Sequence, residues 1–327
     1  MIDIVEEKCC GCYACYNSCP KSCITMEENE EGFYYPVINK STCVACNLCE
    51  RVCPVINIPS TFDLRKAFAA YNKEKEIRKK SSSGGIYSLL AEATLENRGI
   101  VYGVAFEEDF QGVHHIRISE KEELDKTYTS KYMQSHVRGI YEQVKRDLIQ
   151  GTEVLFSGTP CQVSGLRNYL GRDYSNLWCV DFICHGVPSE KIWRIYTSEI
   201  IRRFNHKIDY ANFRCKENGW DVLSLLLILG EECVFETQSN NLYYKAFLSD
   251  LCLRKSCYNC TFKSVNGFSD ITLADFWGIS EVCPEMYDGM GTSLVLINSR
   301  KGYDLLNKIQ SKIVFEEVDY TKSISFT

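Results

Sequence analysis

An α+β unit over residues 1–60 followed by an α/β unit with a mixed sheet over residues 65–327 is the fold class the sequence predicts. Three observations carry that reading. Cysteine runs of one spacing occur twice near the start, Cys9-x2-Cys12-x2-Cys15-x3-Cys19-Pro20 and Cys43-x2-Cys46-x2-Cys49-x3-Cys53-Pro54. After residue 65, short apolar strands alternate with amphipathic helices as far as Phe204, the pattern of successive βαβ units. From Asp209 onward strands predominate, which brings antiparallel pairing into the sheet.

The doubled spacing is that of bacterial two-cluster ferredoxins, in which the fourth thiolate of each run crosses to the other 4Fe–4S cubane. Cluster one is therefore expected on Cys9, Cys12, Cys15 and Cys53, and cluster two on Cys43, Cys46, Cys49 and Cys19. Paired zinc sites and disulfides are the rivals. Zinc takes closed groups of four ligands and gives no reason for a Cys-Pro at both fourth positions. Between the runs, Ile24-Thr25-Met26 and Phe33 to Ile38 flank an acidic Gly-containing turn and read as a hairpin. Val55 to Ile58 is expected to pair with Ile2-Asp3-Ile4, and Pro59-Ser60-Thr61 marks the boundary.

In the second unit the expected order begins with a strand at Ala67–Tyr71. A helix from Ile86 stopped by Gly99 follows, then a strand at Ile100–Phe106 and a helix opened by the capping box of Ser119 and Glu122. Val137, Ile140, Tyr141, Val144 and Leu148 line one face of a helix that Gly151 ends. Strands at Glu153–Phe156 and Leu177–Ile183 alternate with helices at Gln162–Leu170 and Glu190–Phe204. The remaining strands are expected at Asp209–Phe213, Leu223–Leu229, Cys233–Glu236, Ile271–Phe276 and Thr292–Ile297.

Composition excludes several classes. A length of 327 residues suits two domains, and 45% hydrophobic with 24% charged residues is ordinary for a globular chain. A net charge of −6 without a dense basic face argues against nucleic acid. Arg65 to Lys80 holds seven basic residues against two acidic ones; it reads as a solvated linker and helix face, with docking of an acidic partner the sharper alternative. The first residues lack a signal peptide and no apolar run approaches 18 residues. Nineteen cysteines in a chain expected in the cytoplasm point to metal binding or catalysis rather than disulfides. No G-x-G-x-x-G and no P-loop occurs.

Chemistry-bearing residues recur in the second unit. Gly158-Thr159-Pro160-Cys161-Gln162 joins a strand to a helix, so Cys161 stands at a helix N-terminus that favours a thiolate. The next strand ends at Cys184-His185-Gly186, and parallel strands bring both cysteines to one carboxyl edge. Cys257-x2-Cys260 supplies a two-thiolate bite. Cys161, Cys184, Cys257 and Cys260 are thus expected to hold a third cubane, with a catalytic or redox-sensing Cys161 and a zinc site as alternatives. Cys215, Cys252 and Cys283 are substitute ligands; Cys10, Cys23, Cys179 and Cys233 read as small core residues. Ser81-Ser82-Ser83-Gly84-Gly85 runs into a helix start and suits a pyrophosphate, although such a stretch also reads as a flexible linker. Lys131 reads by default as a solvated lysine.

Ser82-Ser83-Gly84-Gly85, Ser130-Lys131-Tyr132, Ser157 to Gln162 and Cys184 to Ser189, taken together, resemble the family of beta subunits of coenzyme F420 hydrogenases and dehydrogenases. Phe213-Arg214, Gly219-Trp220, Cys257-x2-Cys260, Ser269 to Thr272 and Asp275 to Gly278 extend the resemblance over about residues 66 to 310. It implies FAD against Ser82, Ser83, Gly84, Gly85, Ser130, Lys131 and Thr159, with Lys131 acting at the flavin. It implies the third cluster on Cys161, Cys184, Cys257 and Cys260. The chain stops soon after Ser311, shorter than the resemblance implies, so a C-terminal element is expected to be missing. Two functional classes follow. One is a flavin enzyme coupling a small organic substrate, coenzyme F420 or another, to a ferredoxin-type protein carrier; the other is an electron-transfer subunit whose catalytic partner is a different polypeptide.

Overall fold

The computed structural model describes residues 2–326 apart from Ser264 and Asn266. Strands β1 (Ile24–Glu28) and β2 (Tyr34–Ile38) form the expected antiparallel hairpin, with Ile24 opposite Ile38. The expected pairing of Val55 to Ile58 with Ile2 to Ile4 does not form. Ile2–Lys8 is a 3-10 helix, and the chain after Cys53 turns instead. The Asn57 N–H meets the Cys53 carbonyl at 2.8 Å, and its side-chain amide donates to the carbonyls of Glu50 (2.8 Å) and Arg51 (3.2 Å). Those bonds satisfy the end of helix Leu48–Arg51, which a short apolar run in sequence does not reveal.

The second unit supplies β3 (Lys66–Asn72), β4 (Ile100–Phe106), β5 (Val113–Ile118), β6 (Val154–Ser157), β7 (Leu177–Phe182) and β8 (Tyr210–Asn212). It continues with β9 (Ser224–Leu229), β10 (Glu232–Thr237), β11 (Ile271–Asp275), β12 (Ser293–Ile297) and β13 (Ile313–Val318). Eight of them make a mixed sheet in the order β13-β3-β12-β11-β7-β6-β4-β5. β4, β6, β7 and β11 are mutually parallel; β5, β12 and β13 run against their neighbours. The later strands divide: β8, β9 and β10 form a separate antiparallel sheet. The edge strands β5 and β13 escape the sequence pattern because His114, Arg117, Glu316 and Glu317 interrupt their apolar runs. Ser119 does not cap an α-helix. Lys121–Thr127 is a 3-10 helix preceded by Glu120, with no side-chain cap bond.

Alternate residues of the parallel strands separate onto two faces, as strand geometry requires. Val101, Leu155, Trp178 and Val180 pack beneath helices Ile86–Glu96 and Arg300–Ile309. Ile100, Tyr102, Phe156, Leu177 and Cys179 face helices Ile140–Ile149 and Pro160–Leu170. Cys10, Cys12, Tyr13, Ala14 and Val52 belong to this second core, so the N-terminal unit is packed into the molecule rather than tethered to it. The basic stretch is not simply solvated: Ala67 to Ala70 lie in an inner strand, and Arg78 is buried. Among the described residues no helix is long and apolar enough to cross a membrane.

A missing side chain allows this docking. A Cβ on Gly165 would lie 3.0 Å from both Cβ and Sγ of Cys12 and 3.1 Å from the Tyr141 hydroxyl. Gly165→Leu is expected to destabilise the chain by about 1–3 kcal/mol through overpacking and to displace the first cysteine run. Anaerobic denaturant unfolding together with iron content checks this; wild-type values for both would refute it.

Candidate functional site

The carboxyl ends of β4, β6, β7 and β11 open into a cavity of about 420 Å³, within the range of small-molecule sites. Ser82, Ser83, Gly85, Ser130, Lys131, Thr159 and Cys184 all line it. Of the residues singled out for a nucleotide, only Gly84 stands behind the wall. A Cβ there would meet the Ala70 carbonyl at 2.5 Å and the Ser293 nitrogen at 2.8 Å, while its N–H donates to Ser293 Oγ at 3.0 Å. Gly85 occupies the left-handed region at φ +79° and opens helix Ile86–Glu96, so the segment is a fixed loop and not a linker.

Two further contacts hold this loop. Ser82 Oγ accepts the Ser130 N–H (2.7 Å) and hydroxyl (3.0 Å), tying it to the loop that carries Lys131. Beneath it, Lys216 Nζ donates to the carbonyls of Ser83 (2.7 Å), Arg78 (2.8 Å) and Met290 (2.9 Å). Nothing in the sequence marked Lys216, because three carbonyl acceptors leave no residue-type signature.

Lys131 is not a solvated lysine. Its ammonium is half-buried in the cavity wall, donates to the Thr129 carbonyl at 2.9 Å and lies over the Phe106 ring. Burial lowers it from 10.5 to about 7; burial, with Arg214 and Arg78 nearby, brings Lys216 to about 7 as well. Asp181, also in the cavity wall, moves the other way. Burial raises it to about 7 despite hydroxyl bonds from Ser269 and Thr272, both 2.6 Å. A charged residue inside the apolar strand Leu177–Phe182 was the sequence signal for it. Arg214 and Asp275, in motifs recognised in the sequence, form a bidentate pair (2.6 and 3.3 Å) in the same wall.

A smaller void of about 30 Å³ shares part of this wall, including Thr159 and Cys184. Cys161, Cys184, Cys257 and Cys260 line it together, as the sequence suggested, and Cys10 joins them. Cys10 is therefore not merely a core residue. Cys161 is no ready thiolate either. A hydrogen bond with Cys10, then burial, pushes its thiol well up, outweighing the Thr159 hydroxyl at 3.1 Å. Burial, followed by its three partner thiols, does the same to Cys184. Cys215, Cys252 and Cys283 stay outside this void. Cys233 is exposed on β10 rather than in a core, because that strand is the outer edge of the small sheet.

In the N-terminal unit a third void, about 20 Å³, is lined by Cys19, Cys43, Cys46 and Cys49, the crossed set expected for cluster two. Cys23 lines it as well, its sulfur 3.3 Å from that of Cys19. Burial, then the nearby Cys9 and Cys53, raises the Cys15 thiol; Cys12 and Cys53 sit within the same group. Among the described residues no three His, Cys, Asp or Glu side chains are disposed to hold a single metal ion. The thiols of Cys19, Cys43, Cys46 and Cys49 and those of Cys161, Cys184, Cys257 and Cys260 each line a void.

Residues 151–323 match the family described as coenzyme F420 hydrogenase/dehydrogenase, beta subunit, over its C-terminal part. The chain belongs to that family of beta subunits. Residues 67–141 match the N-terminal part of the same polypeptide, and residues 8–57 match a 4Fe–4S dicluster domain. The F(420)H(2) dehydrogenase of Methanosarcina mazei has a subunit that is 25% identical over 214 residues, covering 58% of each chain; the present chain thus spans little more than half of that relative. An uncharacterized ferredoxin of Methanocaldococcus jannaschii is 38% identical over 53 residues, 16% of this chain and 68% of that one. The fold is similar to a chain in the xenon-derivatised F420-reducing [NiFe] hydrogenase complex of Methanosarcina barkeri. The TM-score is 0.53 at 16% identity, over 79% of this chain and 82% of that one.

The lowered lysines of this family member have a consequence for pH. Between pH 7 and 10.5 the unfolded chain binds protons that the folded chain with an open cavity does not, so these two groups make stability rise with pH across that window. Lys131→Met is expected to stabilise the ligand-free protein most near pH 7, with the advantage shrinking toward pH 10.5. Denaturant unfolding across that window checks it, and a difference independent of pH would contradict it.

Proposed function

We propose that this chain is an iron–sulfur flavoprotein oxidoreductase that couples two-electron chemistry on a small organic substrate, coenzyme F420 or another, to one-electron transfer toward a ferredoxin-type carrier. The observation carrying this reading is the shared wall: Cys184 and Thr159 line both the large cavity and the void ringed by Cys161, Cys184, Cys257 and Cys260. Hydride donors and most organic substrates exchange electrons in pairs and 4Fe–4S clusters pass them singly; FAD would supply the link, since a flavin can do both.

The chain's own groups suit those cofactors. The Ser82 to Gly85 loop, rigidified by Ser130 and Lys216, offers a helix N-terminus to a pyrophosphate. Lys131, with no carboxylate paired to it among the described residues, offers a cation to an anion in the cavity. Cys9, Cys12, Cys15 and Cys53 suit cluster one, and Cys19, Cys43, Cys46 and Cys49 cluster two. Cys46 and Val44 are exposed, which supports cluster two as the face toward a protein carrier. Assembly of each cluster requires thiolates, so the raised thiols must release protons as iron enters.

Anaerobically purified protein is expected to contain three cubanes of iron and sulfide and to bind FAD. Changing Cys257 and Cys260 together to serine should remove one cubane's worth of iron and spare the two N-terminal clusters. Unchanged iron would exclude those ligands. Lys131→Ala should weaken flavin binding about tenfold, near 1.4 kcal/mol, without loss of iron. Protein that carries no flavin and binds neither added FAD nor FMN would instead be an electron-relay subunit.

A further inference from the structure

Three deeply buried arginines stand out in this chain. Arg78 pairs in a fork with Asp288, both bonds 2.6 Å, and Arg214 pairs with Asp275. Arg254, fully buried, has no such partner. Its Nε donates to the Cys9 carbonyl at 2.6 Å, Nη1 to Gln134 Oε1 at 3.0 Å and Nη2 to the Tyr34 carbonyl at 2.9 Å. The rings of Tyr35 and Phe33 stand 4.2 and 5.4 Å from the guanidinium carbon. Every acceptor is neutral, and among the described residues no carboxylate pairs with it.

A buried charge left without a counter-charge costs several kcal/mol, and neutral acceptors offset only part of that. The position of Arg254 indicates where the missing negative charge resides. Its side chain grips the carbonyl of Cys9 in the first cysteine run. Its backbone carbonyl accepts the Cys257 N–H at 2.8 Å, and its own N–H bonds the Val187 carbonyl at 3.0 Å. Gly11 gives the guanidinium room, since a Cβ there would come within 3.1 Å of it. One cation therefore lies between the thiols assigned to cluster one and those assigned to the third cluster. A cubane on four thiolates is anionic, and more so once reduced, so a nearby fixed cation favours reduction.

We propose that Arg254 is the shared counter-charge of cluster one and the third cluster, a positioning residue that raises both reduction potentials and links the two thiol sites in one electron path. The proposal rests on the three-cluster reading above. Cluster two, whose void shares no residue with the void containing Cys257, lies outside its influence.

The test uses the full chain, assembled anaerobically, with redox titrations followed by electron paramagnetic resonance. Iron and sulfide assays accompany them, and the Cys257/Cys260 serine variant identifies the third-cluster signal. Arg254→Met is expected to keep its iron and to shift the one-electron reduction equilibria of cluster one and the third cluster at least tenfold toward oxidised, which is 59 mV. Cluster two should stay put. Wild-type protein lacking a third cubane would defeat the cluster reading itself. Three cubanes with unshifted potentials in Arg254→Met, or an equal shift in all three, would overturn only the role of Arg254. Should Arg254→Met lose iron, Arg254→Lys decides: potentials within threefold of wild type uphold the charge role. A tenfold displacement, or loss of iron from this charge-retaining variant, overturns it in favour of a hydrogen-bond scaffold.

Discussion

The arrangement depends on a contact that one partner makes without a side chain: Gly165 lies against Cys12. Helix Pro160–Leu170 carries Cys161 in its first turn and Gly165 four residues on, about one turn apart at 1.5 Å per residue. The helix thus presents a thiol to the void beside the large cavity and bare backbone to the first cysteine run. Any larger side chain at Gly165 would separate the two thiol groups by its own thickness. Tyr141, whose hydroxyl donates to the Gln162 carbonyl at 2.7 Å, closes the same corner, and Tyr13 reaches His136 at 2.7 Å on the other side.

Polar groups are distributed around this corner with a consistent logic. The cations that stabilise the fold have partners, as Arg78 has Asp288 and Arg214 has Asp275. Lys131 and Arg254 donate to neutral acceptors alone: Lys131 lines the large cavity, and Arg254 bonds the Cys9 carbonyl in the first cysteine run. Lys216 is intermediate: it touches three carbonyls and carries the loop above it. Such unpaired cations are costly in a buried setting, and their positions, one in the cavity wall and one bonded to the first cysteine run, match ligands that bring negative charge.

Much of this was legible in the sequence, for physical reasons. The C-x2-C-x2-C spacing is legible because a short loop brings those three thiols to one void, and Cys19 beside Cys43, Cys46 and Cys49 was expected from the crossing fourth thiolate of two-cluster ferredoxins. Cys161 and Cys184 were brought together by the rule that parallel strands share a carboxyl edge, and β6 and β7 are parallel neighbours. What escaped depends on long-range packing. Lys216 and Arg254 act through backbone carbonyls and an amide oxygen that no local pattern encodes. Val55 to Ile58 misled because an apolar tetrapeptide reads alike as strand and as turn, and Asn57 decided for the turn. The division of the later strands into two sheets was equally hidden, since alternation of apolar residues specifies a face but not a partner.

Strand order also bears on how the chain is made. β3 lies between β12 and β13 and pairs with them rather than with β4 or β5, the next strands in sequence. During synthesis it remains without a partner until Ser293–Ile297 has left the ribosome, and such non-local pairing is slow to form. Both N-terminal cysteine runs are complete by Cys53, whereas the void beside the large cavity needs Cys260. The two N-terminal thiol groups are therefore available to iron–sulfur delivery while the sheet is still open. The third must wait for nearly the whole polypeptide, so a ribosome stalled between the two stages would present a charged relay with nothing yet to connect it to.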